Sequence, residues 1–125
     1  MASGNGSNFE ALVSAIRNRR INAEIALLVV NNPGCGAQQR AERLGIPWLL
    51  LNHRDYDTRV DLDRDLVDRF RAADVEGIVM AGWMRIVTSE LIQAFPNRLI
   101  NIHPSLLPSF KGLDGVGQEI GRAHV

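Results

Sequence analysis

Hydrophobic and polar positions along the chain alternate between a helical spacing and short unbroken apolar runs. Four apolar residues follow the i, i+3, i+4, i+7 spacing of one helix face: Phe9, Leu12, Val13 and Ile16. An apolar run of strand length follows at residues 24–31, and its lack of polar alternation is typical of a strand covered on both faces. The same two patterns then recur, predicting helices at residues 37–44, 62–70 and 89–94 and strands at residues 47–51, 77–81 and 98–102.

This alternation of helices and strands predicts an α/β fold, with a parallel sheet, right-handed crossovers and helices on both faces. Ligands in such sheets bind beyond the carboxyl ends of the strands. The segments that could form a site are therefore residues 3–8, 31–36, 52–59, 82–87 and 101–112. The N-terminus departs from this pattern. A strand should precede the turn at residues 4–8, but only three residues stand before that turn, too few for a strand. We therefore expect the first strand to be missing, leaving two open strand edges beside the gap.

Composition and charge exclude several classes of protein. Fourteen Lys and Arg residues balance fourteen Asp and Glu residues, which argues against nucleic-acid binding through bulk positive charge. No apolar run approaches eighteen residues and no signal peptide is recognisable, so we expect a cytoplasmic protein without membrane contact. Cys35 and His53 lack the spacing of metal ligands, and no metal site is expected. The acidic residues between Asp55 and Asp65 are interpreted as a solvated loop and helix start.

The glycine turn, residues 4–8 with the sequence GNGSN, opens the first predicted helix. Glycines let the backbone approach an anion, and free N–H groups at a helix start can bind phosphate. The turn is not the dinucleotide-binding fingerprint, because Phe9 stands where its third glycine belongs. Ser7 with Glu10 three residues later predicts a capping box. The alternative is a tight turn with no ligand.

Asn101 and His103 are two residues apart at the end of the last predicted strand, so their side chains point the same way. An amide donor beside an imidazole suits a developing oxyanion, and the imidazole can also move a proton. The alternative is a buried histidine with an asparagine that holds the next loop.

Two further segments could bind an organic ligand. Residues 82–87, GWMRIV, join apolar side chains to one arginine and could hold a flat heterocycle. Arg59 follows a strand end and could hold a carboxylate in bidentate fashion. The alternatives are a loop that packs on its neighbours and an exposed arginine at a helix start.

Three of these segments together resemble the phosphoribosylglycinamide formyltransferases, folate-dependent enzymes of purine synthesis. They are Gly6-Ser7-Asn8, residues 81–86 (AGWMRI) and residues 101–108 (NIHPSLLP), in the order and spacing of that family. The last stretch is the most specific, and the resemblance covers residues 1 to about 118. It implies a Rossmann-like fold and transfer of the formyl group of 10-formyltetrahydrofolate to the amine of glycinamide ribonucleotide, without a metal.

The resemblance also implies roles for individual residues. Asn101 steadies the tetrahedral oxyanion, and His103 stabilises it as a cation or supplies the proton for its collapse. The phosphate of glycinamide ribonucleotide lies at Gly6, Ser7 and Asn8. The folate-binding residues implied are Arg59, Met84, Arg85, Ile86, Val87 and Asn101.

The chain departs from the family's pattern at its ends. The family's third catalytic group is an aspartate well beyond Asn101, and the chain ends before that position, so we expect the C-terminal third to be missing. The codons ATC GGA AGA GCA CAC GTC would encode residues 120–125 and lie within a common sequencing adapter; GAG for Glu119 extends that match. We therefore predict a partial domain at residues 1–118, an artefactual tail at residues 119–125, and an inactive fragment.

Two rival functions stay open at this point. One is another transferase or hydrolase that depends on 10-formyltetrahydrofolate, which the glycine turn and the run at residues 104–108 disfavour. The other is a non-catalytic domain that binds a phosphorylated metabolite, supported only by the absence of the third acid.

Overall fold

The computed structural model describes residues 1–102 of the chain. Four helices alternate with four strands in the predicted order. The helices are α1 (Ser7–Arg17), α2 (Gly36–Leu44), α3 (Arg59–Ala72) and α4 (Ser89–Ala94), with a short 3₁₀ turn at His53–Asp55. The strands are β1 (Leu28–Val30), β2 (Trp48–Leu50), β3 (Ile78–Ala81) and β4 (Leu99–Ile102).

The strands form two parallel pairs, β1 with β2 and β3 with β4. Residues 1–3 lie between the pairs. The Ala2 N–H donates to the Val29 carbonyl at 3.0 Å, and the Ala81 N–H donates to the Met1 carbonyl at 2.8 Å. These three residues form only an isolated bridge rather than a full strand. They still bond to both β1 and β3, so the prediction of two open edges beside a gap is wrong over these residues.

Helices cover both faces of this sheet, as predicted. Neighbouring residues of a strand point to opposite faces, and accordingly Val29 joins one apolar cluster while Leu28 and Val30 join another. The first cluster takes its helical residues from α3 and α4, together with Phe95 directly after α4: Leu62, Leu66, Val67, Phe70 and Leu91. The second takes them from α1 and α2: Phe9, Val13, Ala37 and Ala41. The fold therefore has two cores separated by the sheet.

Two local predictions differ from the structure. The strand predicted at residues 24–31 comprises only Leu28–Val30 in the structure. Residues 24 and 26 are exposed, and the pairing with β2 covers only residues 28–30 of the apolar run. The capping box is also wrong. Gly6, with φ 83°, occupies the N-cap of α1, and the Ser7 N–H donates to Asn5 Oδ1 at 2.9 Å. Gly45 does end α2 in the left-handed conformation, φ 73°, as predicted.

Candidate functional site

Ser3 joins three loops at the carboxyl edge of the sheet. Its carbonyl accepts from Asn32 Nδ2 at 2.8 Å, its N–H donates to the Gly82 carbonyl at 3.1 Å, and its Oγ accepts from the Met84 N–H at 2.8 Å. The segment after residues 1–3, the segment after β1 and the segment after β3 thus meet at one buried residue. Three of the segments singled out from the sequence are therefore brought together.

The glycine turn packs against the start of α2 so closely that side chains would not fit. A Cβ on Gly6 would lie 2.5 Å from the Cα of Ala37, and the φ of Gly6 is positive. A Cβ on Gly36 would lie 2.5 Å from the carbonyl oxygen of Asn5. Both glycines are required by this approach of turn to helix. The turn is thereby held in one shape at the N-terminus of an eleven-residue helix.

The first turn of α1 offers backbone donors at this edge. Helical geometry leaves the first N–H groups of a helix without intrahelical partners. The Ser7 N–H is satisfied by Asn5, whereas Asn8 lies at the second helical position, where no helical carbonyl is available to its N–H. The helix dipole adds partial positive charge at the same place. The arrangement is suited to an anion such as a phosphate.

Arginines of α2 support the glycine turn from outside. Arg40 Nε donates to the Asn5 carbonyl at 2.7 Å, and its Nη1 lies 2.6 Å from Glu10 Oε1. Arg43 bonds to the same carboxylate oxygen. The bonds from Arg40 and Arg43 hold the pKa of Glu10 below its ordinary value. Because Glu10 sits in the first turn of α1, these two cations also offset a negative charge close to the candidate anion site.

The loop at residues 82–87 turns Met84 and Ile86 toward solvent, while Trp83 and Val87 pack against the first apolar cluster. Met84 and Ile86 are 75% and 64% exposed, far more than apolar residues that pack in a core. Arg85 Nε and Trp83 Nε1 are buried, and neither has a hydrogen-bond partner within residues 1–102. Such unpaired donors beside exposed apolar groups are suited to a flat ligand with polar edges. Trp83 lies in the segment predicted to hold a heterocycle, but it is not among the folate-binding residues that the family resemblance implies.

Arg59 and Asn101 lie at separate places along this edge. Arg59 is the first residue of α3, exposed, and Thr58 caps the helix by accepting from the Asp61 N–H at 3.1 Å. Within the described part of the chain Arg59 makes no ion pair, so its guanidinium is open to a ligand. Asn101 pairs with Met80 in the register of β4 and β3 and is half-buried. His103 lies outside the described residues.

Two buried polar residues at this edge were missed by the sequence analysis. Asn31, 1% exposed, follows β1; its Nδ2 lies 3.3 Å from His53 Nδ1, and its Oδ1 has no partner in the described residues. Asp63, also 1% exposed, accepts from both the N–H and the hydroxyl of Thr88. The interpretation of the acidic residues as solvated is therefore wrong for Asp63. The signal that could have found it is helical spacing, because Asp63 lies three, four and seven positions before Leu66, Val67 and Phe70 on the buried face of α3.

Asp65, a second residue of the acidic segment, is also not simply solvated, because it forms a hydrogen bond with Tyr56. The Tyr56 hydroxyl donates to Asp65 Oδ2 at 2.6 Å, and Arg69 pairs with the same carboxylate. Burial and the bond to Asp65 raise the pKa of Tyr56 to about 12, while the Tyr56 bond lowers the pKa of Asp65. This pair fastens the loop before α3 to the helix, which orients the segment that carries Arg59.

The part of the chain that the structure describes shows neither a cluster of metal ligands nor a membrane-spanning helix. Within residues 1–102 no three His, Cys, Asp or Glu side chains come together as metal ligands. No helix among these residues is both long and apolar enough to cross a membrane.

Comparison with known proteins identifies the family. The family model described as formyl transferase matches residues 1–123. The chain belongs to the formyl transferase family. This confirms the α/β class and the family resemblance drawn from the glycine turn and the two later motifs.

The relatives of this formyl transferase chain include bacterial and animal proteins. It is 42% identical over 117 residues to phosphoribosylglycinamide formyltransferase of Bacillus subtilis, covering 94% of this chain and 60% of that protein. It is 37% identical over 112 residues to the trifunctional purine biosynthetic protein adenosine-3 of Homo sapiens, covering 90% of this chain and 11% of that protein. The chain thus spans about 60% of the length of the Bacillus relative.

Solved structures agree with this assignment. Glycinamide ribonucleotide transformylase 1 of Geobacillus kaustophilus superposes with a TM-score of 0.79 at 36% identity, covering 94% of this chain and 62% of that one. Phosphoribosylglycinamide formyltransferase of Bacillus halodurans also gives 0.79, at 35% identity, covering 99% of this chain and 63% of that one. The arrangement of strands and helices described above is therefore that of a known formyl transferase fold.

Proposed function

We propose that this chain forms part of an enzyme that transfers the formyl group of 10-formyltetrahydrofolate to the amine of glycinamide ribonucleotide. The observation that carries the proposal is the meeting of the glycine turn and the loop at residues 82–87 at Ser3, in a chain 42% identical to a phosphoribosylglycinamide formyltransferase. An anion site and an apolar ligand site side by side suit a reaction between a phosphorylated substrate and a folate. The proposal includes a cytoplasmic location and a role in purine synthesis.

The phosphate of glycinamide ribonucleotide is proposed to bind at Gly6, Ser7 and Asn8. The positive φ of Gly6 and its contact with Ala37 support this, because they bring the backbone rather than side chains to the anion. The Ser7 N–H already donates to Asn5 Oδ1, so Asn8 is the residue whose backbone N–H is left for the phosphate.

The folate is proposed to bind along the neighbouring loop. Met84 and Ile86 supply exposed apolar surface for the pterin ring, and Val87 continues it. The buried Nε of Arg85 has no hydrogen-bond partner within residues 1–102, so it is available to a polar edge of the ring. Arg59 is proposed to hold a carboxylate of the folate's glutamate, which suits its exposed position at the start of α3.

Asn101 and His103 are proposed to act on the reacting formyl group. Attack of the amine on the formyl carbon forms a bond and places negative charge on the formyl oxygen. Asn101, near the carboxyl end of β4, would donate a hydrogen bond to that oxygen. His103, two residues further on, would stabilise the charge as a cation or supply the proton when the intermediate collapses toward the folate leaving group.

The proposal is tested in the full-length protein that carries this chain. Purified protein is assayed for loss of formyl-folate and for formylated product, with glycinamide ribonucleotide and separately with methionyl-tRNA as acceptor. Transfer to glycinamide ribonucleotide alone is the expected result. Hydrolysis of the folate without an acceptor, or transfer only to methionyl-tRNA, would contradict the proposed substrate.

The proposed role of His103 predicts a specific kinetic change. His103→Ala should lower kcat by about a hundredfold or more, because general acid–base groups contribute at the transition state. The KM for glycinamide ribonucleotide should change little, since the charge that His103 meets develops only during reaction. Steady-state kinetics with both substrates varied measures this, and a loss confined to KM would contradict the role.

Two expectations about the ends of the chain stay predictions. One is that the polypeptide of residues 1–125 has no transfer activity by itself, which a single-turnover assay on that polypeptide measures. The other is the artefactual origin of residues 119–125, which lie outside the described residues. The nucleotide sequence decides it, because codons unlike the adapter would rule it out.

A further inference from the structure

The loop at residues 82–87, named here the folate loop, buries only part of its side chains: Trp83 and Val87 pack against the first apolar cluster, whereas Met84 and Ile86 do not. Met84 and Ile86 project into solvent at 75% and 64% exposure. Core packing therefore contributes little to fixing their positions. Besides the packing of Trp83 and Val87, hydrogen bonds to the backbone at the two ends of the loop fix its course.

Ser3 anchors the beginning of the loop. The residue is only 3% exposed, and its Oγ accepts a hydrogen bond from the Met84 N–H at 2.8 Å. Its own N–H donates to the Gly82 carbonyl at 3.1 Å. Gly82 has φ 81°, so the chain turns sharply at the end of β3 and returns past Ser3. The hydroxyl of Ser3 is thus the side-chain group that holds the backbone of Met84.

Asp63 anchors the end of the loop. This carboxylate, in the middle of α3 and 1% exposed, accepts from the Thr88 N–H at 2.5 Å and from the Thr88 hydroxyl at 2.8 Å. Thr88 directly follows the loop and caps α4. Burial raises the pKa of Asp63, and the two bonds from Thr88 oppose that rise. Burial of a carboxylate costs free energy, and the two hydrogen bonds from Thr88 offset this cost at Asp63.

We propose that Ser3 and Asp63 are positioning residues for folate binding: two buried oxygen acceptors that hold opposite ends of the folate loop at the geometry the formyl donor requires. This inference rests on the proposed function, because it takes residues 82–87 as the folate-binding segment. Neither residue needs to touch the folate. Each acts through a backbone N–H group, at Met84 or at Thr88, so the affinity for folate depends on a loop ordered before the ligand arrives.

A purely structural role predicts a different pattern of effects. If Ser3 and Asp63 served stability alone, their loss would lower the free energy of unfolding and leave the KM values of the folded enzyme unchanged. Positioning predicts instead that the KM for the formyl donor rises while the KM for glycinamide ribonucleotide stays nearly constant. The turn at residues 4–8 keeps its own supports, since Arg40 and the backbone of Ser3 are untouched by removal of the hydroxyl.

The test uses the full-length protein that carries this chain, in four variants beside the wild type. Ser3→Ala removes one acceptor, and Ser14→Ala, an exposed serine of α1, is its control. Asp63→Ala removes the other acceptor, and Asp63→Asn keeps an amide oxygen that can accept both bonds from Thr88. Kinetics with each substrate varied are combined with amide hydrogen exchange at Met84 and Thr88 in the free protein.

Ser3→Ala and Asp63→Ala should each raise the KM for formyl-folate about tenfold, because a buried N–H loses its acceptor. The KM for glycinamide ribonucleotide should change less than about twofold, because the Ser3 hydroxyl and the Asp63 carboxylate bond to Met84 and Thr88 and not to the glycine turn. Asp63→Asn should recover most of the loss, and Ser14→Ala should match the wild type. Exchange at Met84 should speed up in Ser3→Ala, and exchange at Thr88 in Asp63→Ala.

Equal rises in both KM values, or faster exchange with unchanged KM for formyl-folate, would overturn the proposal. If Asp63→Ala does not fold, Ser3→Ala and Asp63→Asn still decide the outcome, because each keeps the volume of its site nearly constant. If the wild-type protein transfers no formyl group, the proposed function fails, and the inference about folate positioning fails with it. A wild-type protein that is active while Ser3→Ala keeps a normal folate KM refutes the inference alone.

Discussion

The glycine turn and the folate loop lie side by side at the carboxyl edge of the sheet, yet they are held in opposite ways. The turn is fixed by close approach: Gly6 and Gly36 leave no room for a Cβ between α1 and α2. The folate loop is held by hydrogen bonds from the backbone at its two ends to Ser3 and Asp63, while Met84 and Ile86 stay exposed. The turn is therefore sensitive to added atoms, and the loop is sensitive to lost acceptors.

The largest expected effect concerns the turn. Gly6→Ala should lower the free energy of unfolding by more than about 2 kcal/mol, since it combines a left-handed backbone with a backbone clash. The added Cβ would lie 2.5 Å from the Cα of Ala37, and φ is 83°. Chemical denaturation measures the change. Gly4→Ala is the control, because a Cβ there has nothing within 4 Å and should cost little.

Equal stability losses at Gly4 and Gly6 would show that the turn is not held by close approach. The comparison is informative because both glycines lie in the same five-residue turn, and only Gly6 combines a positive φ with close neighbours. The same experiment at Gly36, whose Cβ would meet the Asn5 carbonyl oxygen at 2.5 Å, should resemble Gly6.

The second effect concerns the exposed side chains of the folate loop. Met84→Ala should raise the KM for formyl-folate about tenfold, because it removes apolar surface that a ligand would bury. The free energy of unfolding should stay within about 0.5 kcal/mol of the wild type, since the side chain is not packed. Kinetics and denaturation on the same preparation measure the two quantities. A large loss of stability would mean that Met84 belongs to the core.

The third effect tests the outer support of the turn. Arg40→Met should raise the KM for glycinamide ribonucleotide about threefold to tenfold, because the Asn5 carbonyl loses a charged donor. Arg43→Met is the matched control: Arg43 bonds to Glu10 but makes no bond to the turn. A similar KM in the two variants would assign the arginines to the surface ion pair with Glu10 and not to the turn.

The smallest effect is a pH dependence at Glu10. Its pKa is lowered by Arg40 first and Arg43 second, so its stabilising contribution is present above the unfolded value and is lost as pH falls through the folded one. The difference in unfolding free energy between wild type and Glu10→Gln should therefore shrink as the pH drops below about 4.5. Denaturation at a series of pH values measures it, with Glu42→Gln as control. A difference that does not vary with pH would contradict the ion pair.

The order and type of the elements follow from the sequence alone. The helical spacing that begins at Phe9 and the apolar run that contains β1 depend on residues within a few positions of one another. Gly45 is equally local, because the left-handed end of α2 favours a glycine whatever lies around it. The parallel sheet, and hence the edge at which loops meet, follows from the alternation of these elements.

What the tertiary structure decided is where polar groups find partners. Ser7 has the sequence of a helix cap, but the close packing of Gly6 on α2 moves the cap one residue earlier and leaves Glu10 to Arg40 and Arg43. Residues 1–3 are too short to be predicted as a strand, yet two neighbouring strands supply their bonds.

Asp63 shows the same limit most clearly. Helical spacing places Asp63 on the same face as Leu66 and Val67, but its hydrogen-bond partner, Thr88, lies outside α3 and twenty-five residues away. A hydrogen bond between residues far apart in the chain leaves no periodic trace in the sequence, because each partner is chosen by the fold and not by its neighbours. The sequence therefore determined which segments reach the carboxyl edge, and only the packing of α3 and residues 1–3 beneath the folate loop decided which side chains hold it there.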